Sequence, residues 1–490
     1  MKKGILITLL GLFLCAAGYV VWGHLFTKQE KHSKSIDSVP KDAAIIVRSA
    51  DLLSFWRNDV IKHPSWTVNQ HVPAFKNLKS RIDVLDSIAK LSPELSSLLK
   101  NRESYISTLM TGPNNYDLLY STEVSQEDLA LFLAFKRKHL SNYKSITRTY
   151  NECEINDLLF ADDKRLSFAV LNNVLLISET PTLVEKALLQ LQSNALMSQD
   201  PVIEKLWSTI IKSSSANIFI NFDKFGELNG TFLKKNSLFL SENPLMGNWC
   251  ELDLTVKDHG VFLTGLIATS DTLNHYFYTL SHQNPDKLTL DKVMPSNTAY
   301  FIQNNISNRT AFFKDYVAVL DKHQRMFNYE NGIKKIEEKY GNKTVENIIK
   351  TLGGEWASFA TEPLSEEFTN NICFAYELSN IEEDPATING LFAELSNDSV
   401  FTEVFQNYEI KELHHGNVLN AIFDQQTNLS SHVYYTFIEN FVVFANEIGN
   451  LKHIINSYSK GNTLSKNTAY QDFFNNFPSK SNLFAYYNFR

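Results

Sequence analysis

The sequence predicts an α+β protein: an N-terminal transmembrane helix followed by two tandem, duplicated domains, each with a largely antiparallel sheet and helices packed on one face. Three observations predict it. An uncharged run opens the chain, strand-like runs adjoin one another through short polar turns, and a set of segments recurs in the same order in the two halves. The 490 residues, 43% hydrophobic and 20% charged, suffice for several globular domains and exclude a disordered or fibrous chain.

The first element is "MKKGILITLLGLFLCAAGYVVWGHLF", in which Lys2 and Lys3 precede the uncharged residues 4–26. As a helix this run is about 34 Å long, enough to cross a bilayer. Ala16 and Ala17 fall inside the run rather than after it, and Leu14 stands before Cys15. Both facts favour an uncleaved anchor in residues 1–26 over a cleaved or lipidated signal. Lysines flank the run on both sides, so charge bias sets no orientation. Residues 27–38, polar except for Ile36, read as a tether.

The first domain is expected over residues 39–291. A turn at Pro40 to Asp42 leads into the strand Ala43 to Val47, and a helical pattern starts near Ser49 or Asp51. A long helical region follows, then a β pair in "YISTLMTGPNNYDLLYSTEV". Ser125 with Asp128, and Thr182 with Glu185, read as helix-starting capping boxes. "LNNVLLISETPTLVEKALLQL" is strand, Asn172-Asn173 turn and helix. The hairpin of residues 249–268, with Leu252, Leu254 and Val256 alternating with polar residues, is expected to complete this domain together with the helix after it.

The second domain, residues 292–490, restarts at "MPSNTAYFIQNN". Pro40, Ala44 and the trio Ile45, Ile46, Val47 correspond to Pro295, Ala299 and Tyr300, Phe301, Ile302, a separation of 255. Residues 170–222 lie on 437–489 without a gap, a separation of 267. Between these anchors "YDLLYSTEV" matches "EWASFATEP", and "TYNECEI" matches "NYEIKEL". Two copies of such large units indicate tandem domains rather than a solenoid. In "NGIKKIEEKYGNKTVENIIK", Ile333, Ile336, Tyr340 and Val345 read as one amphipathic helix with solvated charge opposite.

Composition narrows the function. A formal net charge of −8, with no basic stripe interleaved with aromatics, excludes nucleic acid as the expected partner. Cys15 lies in the apolar run, and Cys153, Cys250 and Cys373 are an odd number without a C-x-x-C pair, so neither a disulfide framework nor a zinc site is expected. No nucleophile elbow, zinc-protease helix, P-loop or dinucleotide fingerprint is present. His414-His415 is the most metal-like pair, but neighbours on a strand face opposite ways, so a polar turn is expected there, as at His259. Gly353-Gly354 reads as the passage from a helix ending near Lys350 into a strand. Asp162-Asp163 and Glu382-Glu383-Asp384 read as turns, lacking the alternating oxygen ligands of a calcium loop. No catalytic, cofactor-binding or metal residue is assigned.

The N-terminal run, "VPKDAAIIVRS", "WCELDLTVKDHGVFLTGLIATSD" and "MPSNTAYFI" together resemble the bacterial envelope family catalogued as domain of unknown function thirty-three fifty-two. The resemblance covers nearly the whole chain and transfers no activity, cofactor or site residue. It implies a single-pass inner-membrane protein with its folded part on the periplasmic side. The expected function is non-enzymatic binding or scaffolding of another envelope component. The alternatives are a carrier of a lipid-like ligand in a cleft between the domains, and a hydrolase with an unfamiliar site.

Overall fold

The structure is a computed structural model that describes residues 34–488, apart from 92–95, 97–98, 140–143, 161–164, 194, 232–245, 258–259, 270–274, 342, 364–370, 397–400, 424–426 and 428. The expected anchor in residues 4–26, Asp162-Asp163 and His259 lie outside the described residues. It is an α+β protein with two large antiparallel sheets, of ten and eight strands. The chain divides into two compact units: residues up to 243 with 248–268, and residues 244–247 with 269–490.

In the first unit the strands are β1 (Ile45–Ser49), β2 (Ser104–Gly112), β3 (Asn115–Glu123), β4 (Lys144–Tyr150), β5 (Cys153–Leu159), β6 (Arg165–Leu171), β7 (Val174–Ser178), β8 (Ala216–Asn221), β9 (Trp249–Lys257) and β10 (Gly260–Ala268). Their order is β10-β9-β8-β1-β2-β3-β7-β6-β5-β4. Tight hairpins impose the antiparallel sense. Asn151-Glu152 and Asn172-Asn173 both adopt positive φ, the two-residue turn whose twist suits paired strands and that Asn tolerates best.

After short helical turns over Leu52–Ser54, Phe55–Val60 and Pro64–Asn69, the helices here are α1 (Pro73–Leu91), α2 (Gln126–His139), α3 (Pro181–Gln192), α4 (Pro201–Trp207) and α5 (Phe222–Asn229). They cover both faces of the sheet rather than the one expected. Leu78, Leu129 and Phe225 of α1, α2 and α5 join Ile106, Leu118 and Leu175 in one core. Leu183 and Leu188 of α3, with Leu206 of α4, join Tyr105, Leu119 and Leu176 in the other. The continuous run Val174 to Ile177 is the sequence signal for this, because a strand buried on both faces has no polar alternation.

Three local expectations change. Residues 34–38 are a 3₁₀ turn packed on the fold, not the end of a tether, because Ile36 is buried in the core and Asp37 accepts from the Ser198 N–H. Helix α3 starts at Pro181 with Thr180 before it, since proline suits the first helical position. Thr182 is therefore inside the helix, and Glu185 pairs with Arg148 instead of capping. Ser125 and Asp128 do form the reciprocal box, at 2.8 and 3.1 Å.

The second unit contains β11 (Asp286–Lys287), β12 (Thr298–Asn305), β13 (Leu352–Thr361), β14 (Ile372–Leu378), β15 (Thr402–Phe405), β16 (Tyr408–Leu413), β17 (Val433–Ile438), β18 (Phe441–Ala445), β19 (Lys480–Ser481) and β20 (Leu483–Tyr487). Eight form a sheet in the order β15-β16-β17-β18-β14-β13-β12-β20, and β11 pairs with β19. Its helices are α6 (Tyr276–Ser281), α7 (Arg309–Lys322), α8 (Met326–Tyr340), α9 (Thr344–Thr351), α10 (Asp384–Leu395), α11 (Asn417–Ile422), α12 (Ile448–Ser459) and α13 (Thr468–Phe474). The amphipathic stretch thus forms two helices, α8 and α9, broken where Gly341 and Lys343 take positive φ. Helix α6, expected to complete the first domain, puts Tyr276 and Leu280 in the second unit's core beside Phe312 and Trp356. Again both faces are covered, the other by α12 and α13.

Reading β4-β5-β6-β7-β3-β2-β1-β8 against the second sheet gives the same order, to which the first unit adds β9 and β10. Residue pairing repeats as well. Ile45 faces Ile220 as Tyr300 faces Tyr487, and Phe168 faces Ile177 as Tyr435 faces Phe444. These are the 255 and 267 separations read from the sequence. Two finer correspondences shift. Arg48 faces Tyr105 as Gln303 faces Ala357, so β13, which contains "EWASFATEP", occupies the place of β2, and not of β3 where "YDLLYSTEV" lies. The turn Asn151-Glu152 corresponds to Gln406-Asn407, three residues earlier than "TYNECEI" on "NYEIKEL" places it.

Leu176 in β7 has no exposed surface. Leu176→Ala is expected to cost about 2–5 kcal/mol in urea unfolding. A loss below about 1 kcal/mol contradicts tight packing on that face.

Candidate functional site

A polar cavity of about 550 Å³ lies in the second unit where β12 and β14 end and β13 begins. Lys287, Arg309, Glu355, Glu377, Ser307 and Ser379 supply its chemistry. Helix α9 runs directly into β13, and the pairing of β13 with β14 is irregular between Leu352 and Trp356. That irregularity carries Gly353-Gly354. A Cβ on Gly353 would stand 2.7 Å from Glu377 Cγ, so the close approach requires glycine. The Gly354 N–H donates to Glu377 Oε2 at 3.0 Å and Asn440 Nδ2 donates to Oε1 at 3.1 Å. The glycine pair therefore makes the helix-to-strand passage while receiving a carboxylate of the protein itself.

Glu355 is buried and holds the loop before β12 in place. It accepts from the N–H groups of Thr289 and Leu290 and from Thr289 Oγ1, each at 2.7 Å, and from Gln303 Nε2. Burial pushes its carboxyl up to about 6 against the pull of these hydrogen bonds. The other walls are equally engaged. The Asn284 N–H donates to Ser307 Oγ, Ser379 Oγ lies 2.9 Å from both Lys350 O and Asp384 Oδ2, and Arg309 reaches Lys350 O at 3.4 Å. Among the described residues neither His nor Cys lines the cavity. The arrangement offers charge and hydrogen bonds to a polar ligand, and its Thr289 and Ser379 hydroxyls already stand against the carboxylates of Glu355 and Asp384.

The register gives Glu355 a counterpart in Glu103, which immediately precedes β2. Arg48 binds Glu103 at 2.5 and 3.0 Å and Tyr105 donates to it at 2.6 Å. From Arg48 a chain of side chains continues to Asn217 at 2.7 Å and on to Asp253 at 2.6 Å. Nearby Glu251 is buried, and burial together with Asp253 raises its carboxyl to about 7. In the second unit Gln303 replaces Arg48, so the donors to Glu355 are neutral. These acids carry no motif; the repeat register is the signal that finds them.

Of the residues singled out in the sequence, His414 and His415 part as expected. His414 turns to Glu412, 3.3 Å away, and His415 packs on Tyr340 with ring centroids 5.1 Å apart. Burial, then Lys339, His414 and His432, lower the His415 pKa. Glu382, Glu383 and Asp384 form the turn into α10, where buried Asp384 accepts from the Asn380 N–H at 2.6 Å. Cys153, Cys250 and Cys373 are buried free thiols.

These features define a class: an α+β protein whose two antiparallel sheets share one strand order and carry acids at matching positions. The chain belongs to the family described as "Protein of unknown function (DUF3352)", which matches residues 116–402, from β3 of the first unit to β15 of the second. No curated protein and no solved structure matches it.

Because the folded-state carboxyl of Glu355 is raised, its contribution is fully present below the unfolded value of 4.5 and is lost as pH rises through about 6. By pH 7.5 the loss is about 2 kcal/mol. Urea unfolding at pH 4 and 7.5 should show Glu355→Gln gaining on the wild type by that amount at the higher pH. An unchanged difference between the two proteins removes the assigned burial cost.

Proposed function

We propose that this is a membrane-anchored protein of the bacterial cell envelope that binds or scaffolds another envelope component without catalysis, using the outer edge of β10. The observation that carries the reading is the character of that edge. Strand β10, "GVFLTGLIA", has nine uncharged residues and, among the described residues, pairs only with β9, which leaves one side of its backbone open. Val261, Leu263, Leu266 and Ile267 on it are 47, 46, 52 and 39% exposed. Long, apolar, open edges are strand-addition sites, and proteins that avoid such pairing put charges or short strands there. The other edges follow that rule: β4 carries Lys144 and Arg148, β15 has four residues including Glu403, and β20 has five.

The apolar residues 4–26 support a single-pass membrane anchor, and the inner-membrane, periplasmic placement of the folded part rests on the resemblance to the envelope family. Shared strand order and shared register support an origin of the two units by duplication, after which the first kept or gained the β9–β10 hairpin. A wall of committed side chains around the polar cavity agrees with a binding role.

Fractionation should recover the full chain with membranes, and protease added to spheroplasts should degrade the folded part; recovery as a soluble cytoplasmic protein overturns the placement. A photocrosslinker at Thr264 should capture a defined partner that one at Ser145 of β4 does not. Leu263→Lys with Leu266→Lys should abolish capture with the urea midpoint unchanged. Equal capture at both edges, or capture that survives the lysines, overturns the role of β10.

A further inference from the structure

We propose that Glu412, His414 and His432 bind a divalent transition-metal ion of the zinc class. Leu413 facing Val433 is the last registered pair of β16 and β17, so His414 and His432 stand opposite each other one step beyond it. Glu412 faces Tyr434 in the same ladder, and side-chain alternation puts it on the same side as both histidines. Backbone contacts hold the two segments together. The Gly416 N–H donates to Ser431 O at 2.9 Å, and a Cβ on Gly416 would stand 2.5 Å from Ser430 O.

Each histidine stands close to the Glu412 carboxylate. His414 Nε2 is 3.3 Å from Glu412 Oε2, and His432 Nδ1 is 3.6 Å from Glu412 Oε1. One ligand atom from each residue can be chosen so that all three lie within 4.8 Å of one another. Bonds near 2.1 Å at tetrahedral angles separate ligands by about 3.4 Å. The two separations run to different oxygens of Glu412; with a single one of them as ligand, the three protein ligands leave a fourth position, beside the exposed His432, open to water or a partner's ligand. Two imidazoles with one carboxylate suit zinc, nickel, cobalt or copper, not calcium or magnesium.

Two histidines beside a glutamate can also be plain ion pairs, and the first unit distinguishes the readings. There the register places Asp157 at the position of Glu412, Leu159 at His414 and Arg165 at His432. Asp157 is a structural acid: Arg148 Nε donates to it at 2.9 Å, and Arg165 and Ser167 close the remaining directions. A guanidinium satisfies a carboxylate but never ligates a metal. In the second unit the Arg148 position is Glu403, itself paired with Lys452 at 2.7 Å. The second unit has thus exchanged both guanidinium groups of this corner and gained two imidazoles. With those neutral, the corner carries one negative charge, and a divalent cation completes it.

Zinc chloride titrated into the chelator-stripped full chain, followed by calorimetry, should show one ion per chain. His414→Leu with His432→Arg, which installs the first unit's residues, should weaken binding at least tenfold, as should His432→Ala alone at its exposed position. His71→Ala, on the surface of the first unit, should leave binding intact. The urea midpoint of each metal-free variant reports folding separately from binding. Absence of one-to-one binding in the wild type, or undiminished affinity in both the double variant and His432→Ala, overturns the site.

Discussion

Burial of the central strands on both faces is the constraint from which the rest of the structure follows. In β3 every residue from Tyr116 to Thr122 is buried, and β7 and β18 are buried throughout. A polar group there must find a partner inside the sheet or on the helices above it. Asp117 does so with Arg81 at 2.6 Å and Thr180, and Ser178 does so with Leu118 O at 2.8 Å. Elsewhere the acids sit near strand ends or in outer strands, where a side chain can reach a loop, an arginine or solvent. The polar cavity beside Glu355 and the corner at Glu412 both lie in such places. Chemistry in this fold is confined to the margins of the sheets because their middles exclude it.

What the sequence revealed of the fold depended on how each element announces itself. Strands joined by two-residue Asn turns were legible, and so were the separations of 255 and 267, because one slipped residue would have turned every inward side chain outward. The match of "YDLLYSTEV" to "EWASFATEP" failed since β2 and β3 are both apolar hairpin strands and pattern alone cannot say which is which. The second helical layer was missed although Val174 to Ile177 signals it. Of the site, the glycine passage was legible. The acid positions were not, since Glu103 and Glu355 acquire meaning only when the register places each two residues from the one facing Arg48 or Gln303, within reach of that side chain. His432 likewise gains its neighbours from a cross-strand pairing that lies eighteen residues from His414 in the chain.

Comparison of the two units separates what the fold requires from what it permits. An acid stands at the Glu103 and Glu355 position and again at the Asp157 and Glu412 position, while its partners differ: arginine against glutamine, two arginines against two histidines. The requirement is compensation of a carboxylate at a sheet margin, and several chemistries meet it. This freedom lets one unit hold a rigid ion-paired corner where the other keeps a softer one.

The closing strand of each sheet has a further consequence for the order in which the chain acquires structure. Strand β1 pairs with β8, so Ile45 must wait for Ile220, and β12 pairs with β20, so Tyr300 must wait for Tyr487. Contacts of such long reach slow folding and leave sheet edges bare in the interval. During synthesis the first unit can close while the second is still being made, but the second cannot close until Tyr487 has emerged. Newly made chains thus pass through a stage in which one unit is finished and the other presents an unsealed edge, and that interval is when a chaperone would have most to do.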